Sequence, residues 1–250
     1  MNRLSIAKSL ALVLPAVLAL SACSSVPSAA DVSNFFDVGF GRKSAGLDKV
    51  YDLLVRIERV HVEAEVSKET AAVAMKALGT ICDPHFDGEA LEAYTEFVKT
   101  IDDSEKQADK LRASVVPMKK VAERVFAAWA SDLEGFGSAE MRQRSQLRLE
   151  QTRQRYVAIS TSVDPALWAY DALNHDLRDH ALFLSHDFNS EAIADLRGEV
   201  ESLDHDAGEL AKRFDKCLEA AENYIRSSAL RGQLQGQSAE AAPDKDDSER

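Results

Sequence analysis

The stretch Ile193–Tyr224, IADLRGEVESLDHDAGELAKRFDKCLEAAENY, decides the fold. Its apolar side chains fall at Ile193, Leu196, Val200, Leu203, Ala207, Leu210, Phe214, Cys217, Ala221 and Tyr224, in alternating steps of three and four. Such spacing places one apolar stripe along a helix. Held over several heptads, it winds helices around one another with a left-handed twist.

Three further stretches carry the same signal. One follows Leu47, Val50, Leu54, Ile57, His61, Ala64, Lys68, Ala71, Met75 and Leu78. A less regular one uses Tyr94, Phe97, Ile101, Ala108, Leu111, Val115, Met118, Ala122, Val125, Trp129 and Phe136. The third runs through Leu149, Thr152, Tyr156, Ile159, Val163, Ala166, Tyr170, Leu173, Leu177, His180 and Leu184. Breaks fall at Cys82–Gly88, Gly135–Ser138 and Asn189-Ser190, with Asp87 expected to cap the second helix and Ser138 the third. Connections this short make successive helices antiparallel neighbours. The expected fold is all-α: an elongated antiparallel bundle of about four long helices with heptad packing over residues 44–232.

Pro117 and Pro165 lie inside the second and third helices. Each removes one backbone hydrogen bond and forces a bend or a break. Asp164-Pro165 is expected to be the true break, since Asp164 could cap a new segment. In such a bundle Cys82 sits at a turn, whereas Cys217 lies about 40 Å down the fourth helix from Ser190 at about 1.5 Å per residue. A disulfide needs α-carbons within about 7 Å, so an intramolecular bridge is not expected. Gly198 and Gly208 inside the fourth helix mark either close helix approach or a docking place for another chain.

The chain begins with a different kind of segment. Arg3 and Lys8 precede an apolar run from Leu10 to Leu20, too short to span a bilayer, and Leu20-Ser21-Ala22-Cys23 follows. This is the lipobox arrangement, which predicts a signal peptide over 1–22, cleavage before Cys23 and acyl chains on that cysteine. Acyl chains together on one residue give stable anchoring. Residues 23–43 read as lipidated cysteine and tether, and 233–250 as a disordered acidic tail. Ser24 after the cysteine favours the outer membrane over the inner, with the body facing the periplasm. Removing residues 1–22 takes the formal charge from −12 to about −14, since only Arg3 and Lys8 are lost. So acidic a chain is not expected to bind nucleic acid, which requires phosphate neutralisation.

The segments WASDLEGF (129–136), MRQRSQLRLEQTRQRY (141–156) and LFLSHDFNSEAIADLRGEV (182–200) resemble a family of bacterial lipoproteins known only as a domain of unknown function. The half from about Phe36 resembles it more loosely, departing around Gly39–Leu47, where the family carries a more strongly charged segment. The resemblance implies a helical, coiled-coil-rich lipoprotein and supplies no catalytic residues.

Nothing in the residues points to catalysis, a cofactor or a metal. Glu58-x-x-His61 has di-iron bundle spacing, but such sites need a second pair and facing glutamates. Asp176/His180 and Glu201/His205 are spaced by four instead, and His175 and His180 point about 140° apart on a helix. The glycines of GFGRKSAG (39–46) lack the strand that a phosphate loop requires. Trp129, Tyr156, Trp168 and Tyr170 are expected in the core. The one charged feature is an arginine group: Arg142, Arg144, Arg148, Arg153 and Arg155, near the second turn. It either contacts anionic head groups or an acidic partner, or is a solvated face paired with Asp132 and Glu134. The expected function is that of a membrane-anchored periplasmic lipoprotein of structural, scaffold or adaptor type, held by Cys23 and meeting an envelope protein partner. The alternative is a periplasmic ligand- or metal-binding helical bundle, and the oligomeric state is left open.

Overall fold

The computed structural model describes residues 45–186 and 188–228. The signal-peptide, tether and tail assignments, with Leu20, Ser21, Ala22 and Cys23, lie outside them. Four helices make up the described chain: α1 (Ala45–Ile81), α2 (Ala90–Asp132), α3 (Ala139–His186) and α4 (Ser190–Ser228). A single 3-10 turn, Leu133–Gly135, joins α2 to α3, and there is no strand among the described residues. The fold is an all-α bundle, as the heptads predict.

The helices pack in a ring, each against the one before and the one after, with α4 closing back on α1. Across the diagonals, α1 approaches α3 while the backbones of α2 and α4 stay apart. Polar pairs fix the antiparallel register. Between α2 and α3 run Arg178 to Asp102 and Glu105, Arg112 to Asp171 at 2.7 Å, and Lys119 to Asp164 at 2.6 Å. Between α1 and α4, Lys68 meets Asp215 and His61 faces Glu222.

The stripes of α2, α3 and α4 are buried or half-buried at every predicted position. The stripe of α1 is also buried or half-buried at each described position from Val50 to Leu78, Lys68 included, but the predicted line omits the buried Leu53, Val60, Ser67, Ala74 and Ile81. The cause lies on the opposite face, where Val62, Val66 and Val73 are exposed and blur the contrast that periodicity relies on.

Both prolines lie within continuous helices. Asp164 therefore caps no new segment and instead receives the Lys119 ammonium, and the Pro165 carbonyl accepts from Arg213 at 3.4 Å. Ser138 caps α3 as expected, its Oγ accepting from Met141 N at 3.3 Å. Asp87 does not cap α2; Glu89 occupies that position and makes no side-chain cap. The start of α4 is held by Asn189, whose Oδ1 accepts from the backbone N–H groups of Glu191 and Ala192, each at 2.9 Å. Cys82 and Cys217 are both buried free thiols. Burial pushes the Cys217 thiol up to about 11 against a weaker opposing hydrogen bond with Ser162, and burial also raises Cys82.

Candidate functional site

The two ends of the bundle are built differently. At the end closed by residues 82–89 and 188–189, buried side chains reach the last turns: Ile81, Cys82, Leu184 and Ala192. Tyr94 seals the corner, its ring meeting Phe188 edge-on at 6.0 Å and its hydroxyl donating to the Ala181 carbonyl. At the other end the last buried residue of α2 is Phe126 and the first of α3 is Leu149. Residues 127–148 contain no buried side chain.

Register explains that difference. Glu63 lies beside Gln107, so the start of α1 reaches only about residue 125 of α2. Cys217 lies beside Ser162, so Ser228 reaches only about residue 151 of α3. The α2–α3 hairpin therefore runs on for about ten residues, or roughly 15 Å at 1.5 Å per residue, past the described ends of its neighbours. Trp129 holds the two helices of this hairpin together through its indole N–H to Ser145 Oγ at 2.9 Å.

The predicted arginine group sits on this hairpin, and the structure divides it. Arg153 lies over the Phe126 ring at 5.6 Å and Arg155 is half-buried toward α4, where its charge opposes the burial that pushes Tyr224 up to about 12. Both belong to the packed body. Arg142, Arg144 and Arg148 are exposed on the free part. Arg142 donates to the Phe136 carbonyl at 3.0 Å, Arg144 pairs with Glu140 one turn back, and the Arg148 guanidinium has no hydrogen bond or ion pair among the described residues, its carbonyl accepting from Thr152 Oγ1. The expected pairing with Asp132 and Glu134 does not form among the described residues. Met141 and Leu147, 49% and 52% exposed, stand among these arginines.

Halfway along, the bundle holds a feature that the apolar pattern concealed. Tyr170 of α3 is fully buried, and its hydroxyl reaches Thr70 Oγ1 of α1 at 2.6 Å and the Ser104 carbonyl of α2 at 3.0 Å. Ser104 Oγ donates to Asn174 Oδ1 at 2.7 Å, while Asn174 Nδ2 is buried without a partner. Beside it, the buried carboxylate of Glu63 accepts from Gln107 Nε2 at 2.7 Å and pairs with Arg59. The α4 contribution is apolar, the Phe214 ring edge-on to Tyr170 at 5.6 Å. The only sequence signal was the seven-residue gap between Ile101 and Ala108, which Ser104 fills.

The other candidates do not assemble. Glu58 is exposed, His61 faces Glu222 at 3.6 Å, His175 pairs with Asp179, and His180 is buried against the Asp176 carbonyl at 2.7 Å. Among the described residues no three of His, Cys, Asp and Glu lie close enough together to hold a metal ion. Trp168, expected in the core, is 72% exposed. Gly208 lines a groove of about 590 Å³ between α1 and α4, floored by Met75, Leu210 and Phe214. Close helix approach does not explain either glycine, because a Cβ at Gly198 or Gly208 would meet nothing within 4 Å.

A family model described as protein of unknown function (DUF2959) matches residues 41–228, the whole of the described bundle. The chain belongs to that family. No curated protein and no solved structure matches it. The segments that carried the resemblance, 129–156 and 182–200, place the hairpin end and the α3–α4 turn inside the family region.

Proposed function

We propose that this member of the DUF2959 family is an envelope lipoprotein of scaffold or adaptor type. It is cleaved before Cys23, held in the outer membrane by acyl chains on that cysteine, and presents its four-helix body to the periplasm. The observation that carries this reading is the sequence Leu20-Ser21-Ala22-Cys23 after a basic start and an apolar run. No helix among the described residues is long and apolar enough to cross a membrane, so in this reading attachment falls to the acylated cysteine. The scaffold role is supported by the make-up of the body: four long helices around an apolar core with paired charges along their seams.

The test is mass spectrometry of the mature amino terminus from purified membranes. An acylated Cys23 is expected, and Cys23→Ser should leave the chain uncleaved. A mature chain that begins elsewhere and carries no acyl group would sink the anchor. The adaptor role is tested by photo-crosslinkers at His85, Phe136 and Arg144 in intact cells. A reproducible protein captured at one end is expected; a purified protein that turned over a substrate would overturn it.

A further inference from the structure

The free part of the hairpin, residues 127–148, has no buried side chain and balances Arg142, Arg144 and Arg148 against Asp132, Glu134 and Glu140, whereas the described chain as a whole is acidic. The division is steep. In the half that ends at the hairpin (45–62, 111–162 and 217–228), 13 lysines and arginines stand against 10 carboxylates. In the half that ends at the other turns (63–110, 163–186 and 188–216), 10 stand against 24. A negatively charged surface attracts the first half and repels the second, over distances of about 10 Å at ordinary ionic strength.

We propose that the hairpin end docks on an anionic phospholipid surface, with Arg142, Arg144 and Arg148 on lipid phosphates and Met141 and Leu147 at the head-group boundary. The arginines are suited to it. Guanidinium groups bind phosphate oxygens in pairs, and the charge of Arg148 is uncompensated within the described protein. Exposed apolar side chains beside a basic cluster supply the second contribution that interfacial attachment needs. Chain connectivity permits it as well. The described bundle begins at Ala45 on the hairpin side, and the 22 residues from Cys23 span at most roughly 75 Å. The docked arrangement turns the acidic half away from the membrane, leaving the connections at 82–89 and 188–189 as the partner-facing end. This inference rests on the lipoprotein reading for its anchor, while the arginine contact can be measured separately.

The full mature protein carrying Trp168→Phe has Trp129, inside the hairpin, as its one tryptophan. Energy transfer from Trp129 to a dansyl head-group lipid is measured in phosphatidylcholine vesicles with and without phosphatidylglycerol. Transfer should be roughly twofold stronger in the anionic vesicles and fall back at high salt. It should fall to the neutral-vesicle level in Arg142→Gln/Arg144→Gln/Arg148→Gln. Circular dichroism checks that each variant folds, and all three positions are surface ones. Equal transfer in both vesicles, or no effect of the triple substitution, would overturn the proposal and leave an acidic protein as the arginines' partner. A mass spectrum of the same preparation separates the two readings. If Cys23 is not acylated the anchor fails alone, and arginine-dependent flotation with anionic vesicles still decides the hairpin contact.

Discussion

The hairpin end and the opposite end are made of the same materials, long helices joined by short turns, yet only one is packed by four helices. At the far end Tyr94 and Phe188 pack against a core that all four helices share. At the hairpin end, among the described residues, α2 and α3 continue past α1 and α4, and Trp129 and Leu133 are only partly covered. Helical order there comes from the continuing backbone hydrogen bonds and from one indole–hydroxyl bond rather than from a core. Continuity of helix and continuity of core are therefore separate properties, and among the described residues the core ends before the helices do.

The largest expected effect breaks or confirms that contrast directly. Phe97→Ala removes a ring that is fully buried and should cost about 3–5 kcal/mol in urea unfolding. Phe136→Ala, at the hairpin turn, should stay within about 0.5 kcal/mol. Equal costs would mean that the hairpin end is as tightly held as the core.

Alkaline pH sharpens the comparison next. The Cys217 thiol lies near 11 when folded and near 9.0 when unfolded, so between those values the unfolded chain binds fewer protons than the folded one. Stability therefore falls as pH rises through that window, on the order of 1 kcal/mol per pH unit for this group. Burial pushes Tyr156 and Tyr224 up to about 12, and they extend the loss above pH 10. Cys217→Ala should flatten the lower part of the curve; an unchanged slope would refute the assignment.

Tyr170→Phe leaves Thr70 and the Ser104 carbonyl without their buried partner and should cost about 1–2 kcal/mol without a change of fold. A neutral result would mean that the polar layer contributes nothing to stability. The smallest effect belongs to the exposed seam. Arg112→Gln, which loses the Asp171 pair, should cost about 0.2–1 kcal/mol and less in high salt, measured by the same unfolding series. A salt-independent cost would show that the side chain acts through packing.

Legibility in the sequence followed contrast between helix faces. The stripe of α4 is bounded by charges on every side, and each of its ten predicted positions is buried or half-buried. On α1, Val62, Val66 and Val73 face outward, so the predicted line, though buried or half-buried at each described position, omits the buried Val60 and Ser67. Trp168 misled for the opposite reason, since an aromatic residue beside a stripe counts as core unless its exact angle is known. The position of the arginine group near the second turn was readable from helix order. Its division into packed and free members was not, because that depends on where α1 and α4 begin and end. The polar layer was hidden because Ser104, Thr70 and Asn174 each look unremarkable alone and acquire meaning only from the register of three helices.

That layer has a metrical consequence. Heptad surfaces are nearly self-similar, so one helix could slide past another by a repeat, about 10 Å, and still find apolar partners. The Tyr170 hydroxyl meets Thr70 and Ser104 at a single setting of α1, α2 and α3, and any slip strands several buried polar groups. Like the mark on a vernier scale, it fixes the reading among three helices. Phe214 lets α4 take its place by shape alone.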